Sequence, residues 1–148
     1  MGMFHEQKGE AELKDGFFAS LRVLELASVL AGPAVGVFFA ELGADVIKVE
    51  NLLTGGDVTR SWRLKNEATD SDLSAYFSAV NWGKRSLALD LRQSEALQMV
   101  KALAARADIV IANYKPGDAE KLGVDYASLS AAHPGLIFAH LTGYGPEN

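Results

Sequence analysis

The groups in this chain best equipped for chemistry are its scattered cations, two glycine-bearing loops, and a few carboxylates and imidazoles. Arg60, Lys84, Arg85, Arg92, Lys115 and Lys121 recur in loops or just beyond apolar runs. If those runs are strands of one open sheet, the cations gather along one edge and suit a polyanionic, phosphorylated ligand. An arginine forks two phosphate oxygens, whereas a lysine offers a mobile point charge. Taken singly, each of these residues reads as a solvated surface charge. Two loops share their placement: Asn113-Tyr114-Lys115-Pro116-Gly117 follows the apolar run Asp108 to Ala112, and Thr142-Gly143-Tyr144-Gly145 follows Leu136 to Leu141. Glycines there let a backbone come close to a ligand.

Other chemistries fit less well. Glu50 closes an apolar run at about the twenty-residue distance at which a ribose-binding acid follows a phosphate loop. The loop itself, Ser28-Val29-Leu30-Ala31-Gly32, has one glycine where close approach to a pyrophosphate needs a series. Glu50 therefore reads by default as a solvated strand end. Gly55-Gly56 and Gly83-Lys84 lack the spacing that wraps phosphates in backbone donors. His5, His133 and His140 form no ligand-spaced cluster, so no metal is expected. His140 alternates with Phe138 and reads first as a structural histidine. No Ser-His-Asp arrangement can be built from the spacing.

The elements that must position these groups follow from periodicity. Leu21 to Ala27 reads as a first strand, interrupted only lightly by Arg22 and Glu25, as at a less buried end or face. After the loop Ser28 to Gly32, Pro33 suits the first turn of a helix, where its missing N–H costs nothing. Ala34, Val37, Phe38 and Leu42 give the helix an apolar face, and Gly43 stops it. Val46 to Glu50 is the second strand, reached by a link short enough for a layered α/β fold. Asn51 to Glu67 lacks a period and reads as a long surface loop. A short helix is expected over Asp70 to Val80, a short strand over Ser86 to Leu91, and a strong helix over Gln93 to Arg106. Asp108 to Ala112 is the clearest buried strand. Ala119 to Gly123 and Asp125 to Ala132 read as short helices, Leu136 to Leu141 as a last strand, and Thr142 to Asn148 as a loop. The expectation is an α/β fold: a Rossmann-like parallel sheet flanked by helices, with a polar lead-in over 1–20 and the folded domain over 21–148.

Composition narrows the class. The 148 residues are 49% apolar and 22% charged, a globular balance. With no cysteine there is neither a disulfide framework nor a thiolate nucleophile, which suits a cytoplasmic protein. Apolar runs are far too short for a membrane span, and Met1 to Gly16 does not read as a signal peptide. A net charge of −5 and a pI near 5.1 argue against nucleic acid as a partner.

A set of ordered landmarks then resembles a known family. They are Arg22 to Leu26, Leu30-Ala31-Gly32-Pro33, Gly43 to Glu50, Gly56-Asp57-Val58-Thr59-Arg60, Asn81 to Leu91, Ala107 to Gly117, and Leu136 to Gly145. In this order they resemble the amino-terminal part of a family III CoA-transferase, the group that includes formyl-CoA transferase, carnitine CoA-transferase and related acyl-CoA racemases. The resemblance implies an incomplete large domain holding CoA or acyl-CoA, as substrate, along the carboxyl ends of its strands. It places Ser28, Leu30 and Ala31 near the pantetheine and thioester end. Asn51, Leu89, Arg92, Lys121 and Leu122 fall around the nucleotide, and Thr142, Gly143 and Tyr144 near the acyl end. Formyl-CoA transferase has a glutamine in the place of Leu30 and an arginine in that of Asn51, so formyl-CoA specificity is not implied.

The resemblance also implies a mechanism whose nucleophilic aspartate lies beyond Asn148. None of Asp45, Asp57, Asp90 or Asp108 occupies that position, and Asp90 and Asp108 read as structural. The chain alone is therefore expected to be inactive. The family's interlocked dimers imply a homo-oligomer, a dimer. A fragment of an acyl-CoA racemase, and a non-catalytic α/β binding or self-associating module, remain the alternative readings.

Overall fold

The computed structural model describes residues 16–67, 71 and 73–145. Five strands form one parallel sheet: β1 (Arg22–Leu26), β2 (Asp45–Asn51), β3 (Arg85–Leu89), β4 (Ile109–Ala112) and β5 (Ile137–His140). Their order is β3-β2-β1-β4-β5. The chain thus winds outward from β1 in one direction, then returns to pair β4 on its other side. Ligands of open α/β sheets bind at such a reversal, outside the carboxyl ends of the strands.

The helices cover both faces. Val23, Ala27, Val46 and Ile111 pack with Ala40 of α1 (Ala31–Glu41). On the opposite face Leu24, Leu26, Val110 and Ala112 pack with Val100 and Ala104 of α3 (Ser94–Ala104). Ala119 of α4 (Asp118–Leu122) and Leu129 of α5 (Tyr126–Ser130) complete that layer. Alternate residues of β1 thus serve different layers, as period-two strands require. Covered on both sides, β4 is wholly apolar, as central parallel strands are, and β1 is apolar except for Arg22 at its exposed start and Glu25.

Boundaries moved where side-chain bonds rather than periodicity set them. The helix expected from Asp70 begins, within the described residues, at Ala75 as α2 (Ala75–Asn81), because the Ser74 hydroxyl accepts from Phe77 N–H and caps it. The β3 strand starts one residue early and stops at Leu89, and the last strand is shorter at both ends than expected. The stretch read as a plain loop after β2 contains two 3-10 turns, Leu52–Thr54 and Val58–Ser61. Asn51 and Asp57 cap them, each accepting the N–H two residues on. Of the lead-in expected over 1–20, residues 1–15 lie outside the described residues.

Candidate functional site

A cleft of about 530 Å³ opens where the chain reverses, at the carboxyl ends of β1, β2 and β4. Its walls come from Ala27 and Ser28 after β1, Lys48 to Asn51 of β2, Thr54 to Ser61 excluding Thr59, and Asn113 to Lys115 after β4. Beside it, a smaller hollow is lined by Asn51, Leu53, Leu89, Arg92 and Leu122. A third lies between the β4 and β5 loops, with Tyr114, Lys115, Thr142, Gly143 and Tyr144. Tyr114 borders all three; Asn51 is shared by the main cleft and the second hollow, and Lys115 by the main cleft and the third. Burial pushes the Tyr114 phenol up to about 12, so it stays neutral and can act as a donor.

The candidate residues distribute over this edge. Ser28 and Asn51 line the main cleft, and Asn51, Leu89, Arg92 and Leu122 share the adjoining hollow. Thr142, Gly143 and Tyr144 line the hollow after β5. Leu30 and Ala31 start α1 but do not line the cleft, and Lys121 lies on the exposed side of α4, 3.3 Å from Asp118. The Asn51 side chain accepts from Leu53 N–H, so its oxygen holds the following turn.

The idea that six cations converge on one anion does not survive. Arg85 pairs with Asp45 at the opposite, amino-terminal edge, at 2.6 Å. Arg92 is forked onto Asp90, which it holds down to about 2. Arg60 is forked onto Glu50 at 2.7 and 2.6 Å and lies over the Phe77 ring. Lys84 is buried. Lys115 stands at the cleft with no ion-pair partner among the described residues.

What periodicity missed is a buried ionic cluster behind the cleft, on the α1 face of the sheet. Glu25, read as a mild interruption, is fully buried and joins two ammonium groups, Lys48 at 2.9 Å and Lys84 at 2.6 Å. Lys48 also donates to Ala27 C=O and lies 3.0 Å from Asp57, while Lys84 donates to Pro33 C=O and the Asn81 side chain. Burial pulls the Lys84 ammonium down, against the Glu25 charge. Two carboxylates, Glu25 and Asp57, and two ammonium groups, Lys48 and Lys84, make the cluster neutral, and no buried side-chain polar atom among the described residues is unpartnered. Ions so placed must be paired and fully bonded, since an uncompensated one costs several kcal/mol. A charged residue inside each of the runs LEL and IKV was the available signal: buried on both faces, such strands have no other place for it.

The carboxylates facing the cleft are committed. Burial raises Glu50, but hydrogen bonds from Arg60, Ser86 and Asp57 N–H outweigh it and leave the carboxyl below its usual range. Glu50 is thus a locked strut, and the expectation of a solvated strand end is corrected. Burial likewise raises Asp57, yet Thr59 N–H and Lys48 hold it below the ordinary value. Asp57 also accepts from the Thr59 hydroxyl at 2.8 Å and from Val29 N–H at 3.1 Å. Val29 is the one non-glycine residue with positive φ among those described, at 70°. A β-branched residue there stores about 1–3 kcal/mol of strain, and such strain persists only where the surroundings over-determine it.

His140 meets the Tyr114 carbonyl through Nε2 at 3.1 Å, a structural contact joining the β4 and β5 loops. Asp108 likewise accepts from Arg22 N–H at 2.8 Å, as a strand-flanking residue. Among the described residues no group of three His, Asp or Glu side chains is placed to hold a metal ion, and no helix is long and apolar enough to cross a membrane.

Comparison with known proteins covers nearly the whole chain. The family model described as CoA-transferase family III matches residues 18–148. The succinate–glutarate CoA-transferase of Agrobacterium fabrum is 47% identical over 130 residues, covering 86% of this chain and 32% of that protein. The succinyl-CoA:mesaconate CoA-transferase of Haloarcula hispanica is 41% identical over 131 residues, 88% of this chain and 33% of that one. A crystal structure of a CAIB/BAIF family protein from Brucella suis superposes with a TM-score of 0.76 at 46% identity, covering 86% of this chain and 34% of that chain. A crystal structure of Rv3272 from Mycobacterium tuberculosis gives 0.78 at 37%, covering 91% and 36%. The chain spans about a third of the length of the curated relatives it matches.

Proposed function

The chain belongs to CoA-transferase family III, and from that premise we propose that it forms the CoA-binding part of an acyl-CoA:carboxylate CoA-transferase. The observation that carries this reading is the cleft at the β1–β4 reversal, which shares Tyr114 and other walls with two adjoining hollows. An extended ligand with a nucleotide at one end and a thioester at the other fits such a row. Asn51, Leu89, Arg92 and Leu122 would border the nucleotide, with Lys121 on the outer side of α4. Ser28, with Leu30 and Ala31 at the start of α1, would border the pantetheine. Thr142, Gly143 and Tyr144 would border the acyl group, and Lys115 would supply a cation to the anionic ligand.

Family chemistry runs through an aspartate that attacks the thioester carbonyl, forming a mixed anhydride and releasing CoA thiolate. The thiolate then takes the aspartyl carbonyl, expelling the donor carboxylate and leaving an aspartyl thioester for the acceptor acid to reverse. Glu50 and Asp57 carry full sets of hydrogen bonds and ion pairs, so neither offers a lone pair for such an attack. The nucleophile belongs to the part of the family fold beyond these residues, and this chain alone does not complete transfer. Short dicarboxylic acids are the substrate class, since succinate, glutarate and mesaconate recur in the relatives' names. Those names favour a transferase over a racemase. A dimer would cover exposed apolar side chains such as Phe17 and Ile137.

Calorimetric titration of the chain with CoA tests the binding claim. Saturable heat is expected, and its absence at millimolar CoA contradicts the reading. An assay with succinyl-CoA and glutarate is expected to show no exchange; turnover would overturn the assignment of the nucleophile.

A further inference from the structure

We propose that Asp57 is a positioning residue for the ligand loop, acting through Val29 rather than by touching the ligand. The proposal takes the identity of the ligand from the CoA reading, but its geometry stands independently. Val29 N–H points at the Asp57 carboxylate, 3.1 Å from one oxygen and 3.3 Å from the other. This is the amide of the strained residue, and its neighbour Ser28 is held separately by Asn113. Asp57 is itself fixed from several sides. Lys48 of β2 reaches it at 3.0 Å, Thr59 binds it by both N–H and hydroxyl, and its own N–H donates to Glu50 at 2.7 Å.

Gly56 makes that last bond possible. Its φ is +103°, and a Cβ there would stand 2.6 Å from Glu50 Oε2 and 2.8 Å from Arg60 Nε. The Gly56-Asp57 pair is therefore built as a rigid carboxylate mount, delivered by β2 to the loop that follows β1. Its effect is to keep Val29 in the left-handed region, which sets Ser28 in the cleft wall and Leu30 at the start of α1. Without the carboxylate, Val29 relaxes toward negative φ and both neighbours turn with it.

The test compares Asp57→Ala, Val29→Gly and the double variant in the full chain, by amide hydrogen exchange and by CoA calorimetry. Asp57→Ala is expected to speed exchange at Val29 at least about tenfold and to weaken CoA about tenfold, as fits loss of a charge-assisted bond. Val29→Gly is expected to bind within about threefold of the parent, because glycine takes positive φ without steric cost. The double variant should recover affinity relative to Asp57→Ala, a rescue that a merely structural carboxylate would not give. If Asp57→Ala does not fold, Asp57→Asn, which keeps an acceptor but loses the charge, should speed Val29 exchange in the same direction. Unchanged exchange at Val29 in the folded variants, or a folded double variant that binds no better than Asp57→Ala, would overturn the proposal. If the parent binds no CoA while Val29 protection still depends on Asp57, the CoA reading falls and the positioning role stands.

Discussion

Asn113 grips Ser28 by both ends of its carboxamide. Its Oδ1 accepts from Ser28 N–H at 3.0 Å, and its Nδ2 donates to Ser28 C=O at 2.7 Å. The loops after β1 and β4 are thereby tied together across the point where the sheet order reverses. Asn113→Ala removes both bonds and is expected to cost about 1–3 kcal/mol, at about 1 kcal/mol per bond plus the groups left unmet. Urea unfolding checks this: the midpoint should fall with an unchanged slope. An unchanged midpoint would mean that the tie contributes nothing to the fold.

Gly36 gives a prediction of sign. In most exposed helices alanine is worth about 1 kcal/mol more than glycine. Here a Cβ would lie 1.8 Å from Glu25 Oε2 and 3.0 Å from Lys84 Nζ. Gly36→Ala must therefore push α1 off the sheet or break the buried ion pairs, and should destabilise the chain by about 1–3 kcal/mol or more. Thermal unfolding that rises in this variant would show that the cluster is looser than described.

Acid stability follows from Glu50 and Asp57, whose carboxyls are held below their ordinary values of 4.5 and 3.8. Between those values and the lowered folded ones, the unfolded chain binds more protons. Their contribution is thus complete above pH 4.5 and is lost as pH falls through the folded values. Denaturant midpoints measured from about pH 7 to about pH 3 should decline most steeply below the ordinary carboxyl range. Glu50→Gln should have a lower plateau and a shallower acid decline than the parent.

Lys115 is the cleft cation without an ion-pair partner among the described residues, whereas Arg60 and Arg92 already hold carboxylates. Lys115→Ala is expected to weaken CoA several-fold, about 1 kcal/mol for an exposed charge. It should also flatten the salt dependence of binding, since screening acts on exposed charges. Arg85→Ala, at the far edge of the sheet, should leave both unchanged in the same titration.

The fold was legible because its parallel strands are short apolar runs separated by periodic helices, as Asp108 to Ala112 and Gln93 to Arg106 show. The edge that carries the cleft followed from that alternation together with the loops Asn113 to Gly117 and Thr142 to Gly145. The ionic cluster was not legible from periodicity. Glu25 and Lys48 occupy inward positions of their strands, and their partners Lys84 and Asp57 are 59 and 9 residues distant, so no local pattern links them. For the same reason the basic residues looked like one group: sequence gives their places along the chain but not the carboxylate each one meets. Val29 carries no local sign of positive φ at all, because the constraint comes from Asp57, 28 residues on, in the loop after the neighbouring strand β2.

Amide chemical shifts followed during titration with CoA report whether the β1–β4 edge of this chain is a CoA site. Saturable shifts are expected at Ser28, Asn51, Tyr114 and Lys115, extending to Arg92 and Thr142, while Arg22, Asp45 and Arg106 at the opposite edge stay still. Shifts absent at saturating CoA, or confined to that opposite edge, would contradict a CoA site there.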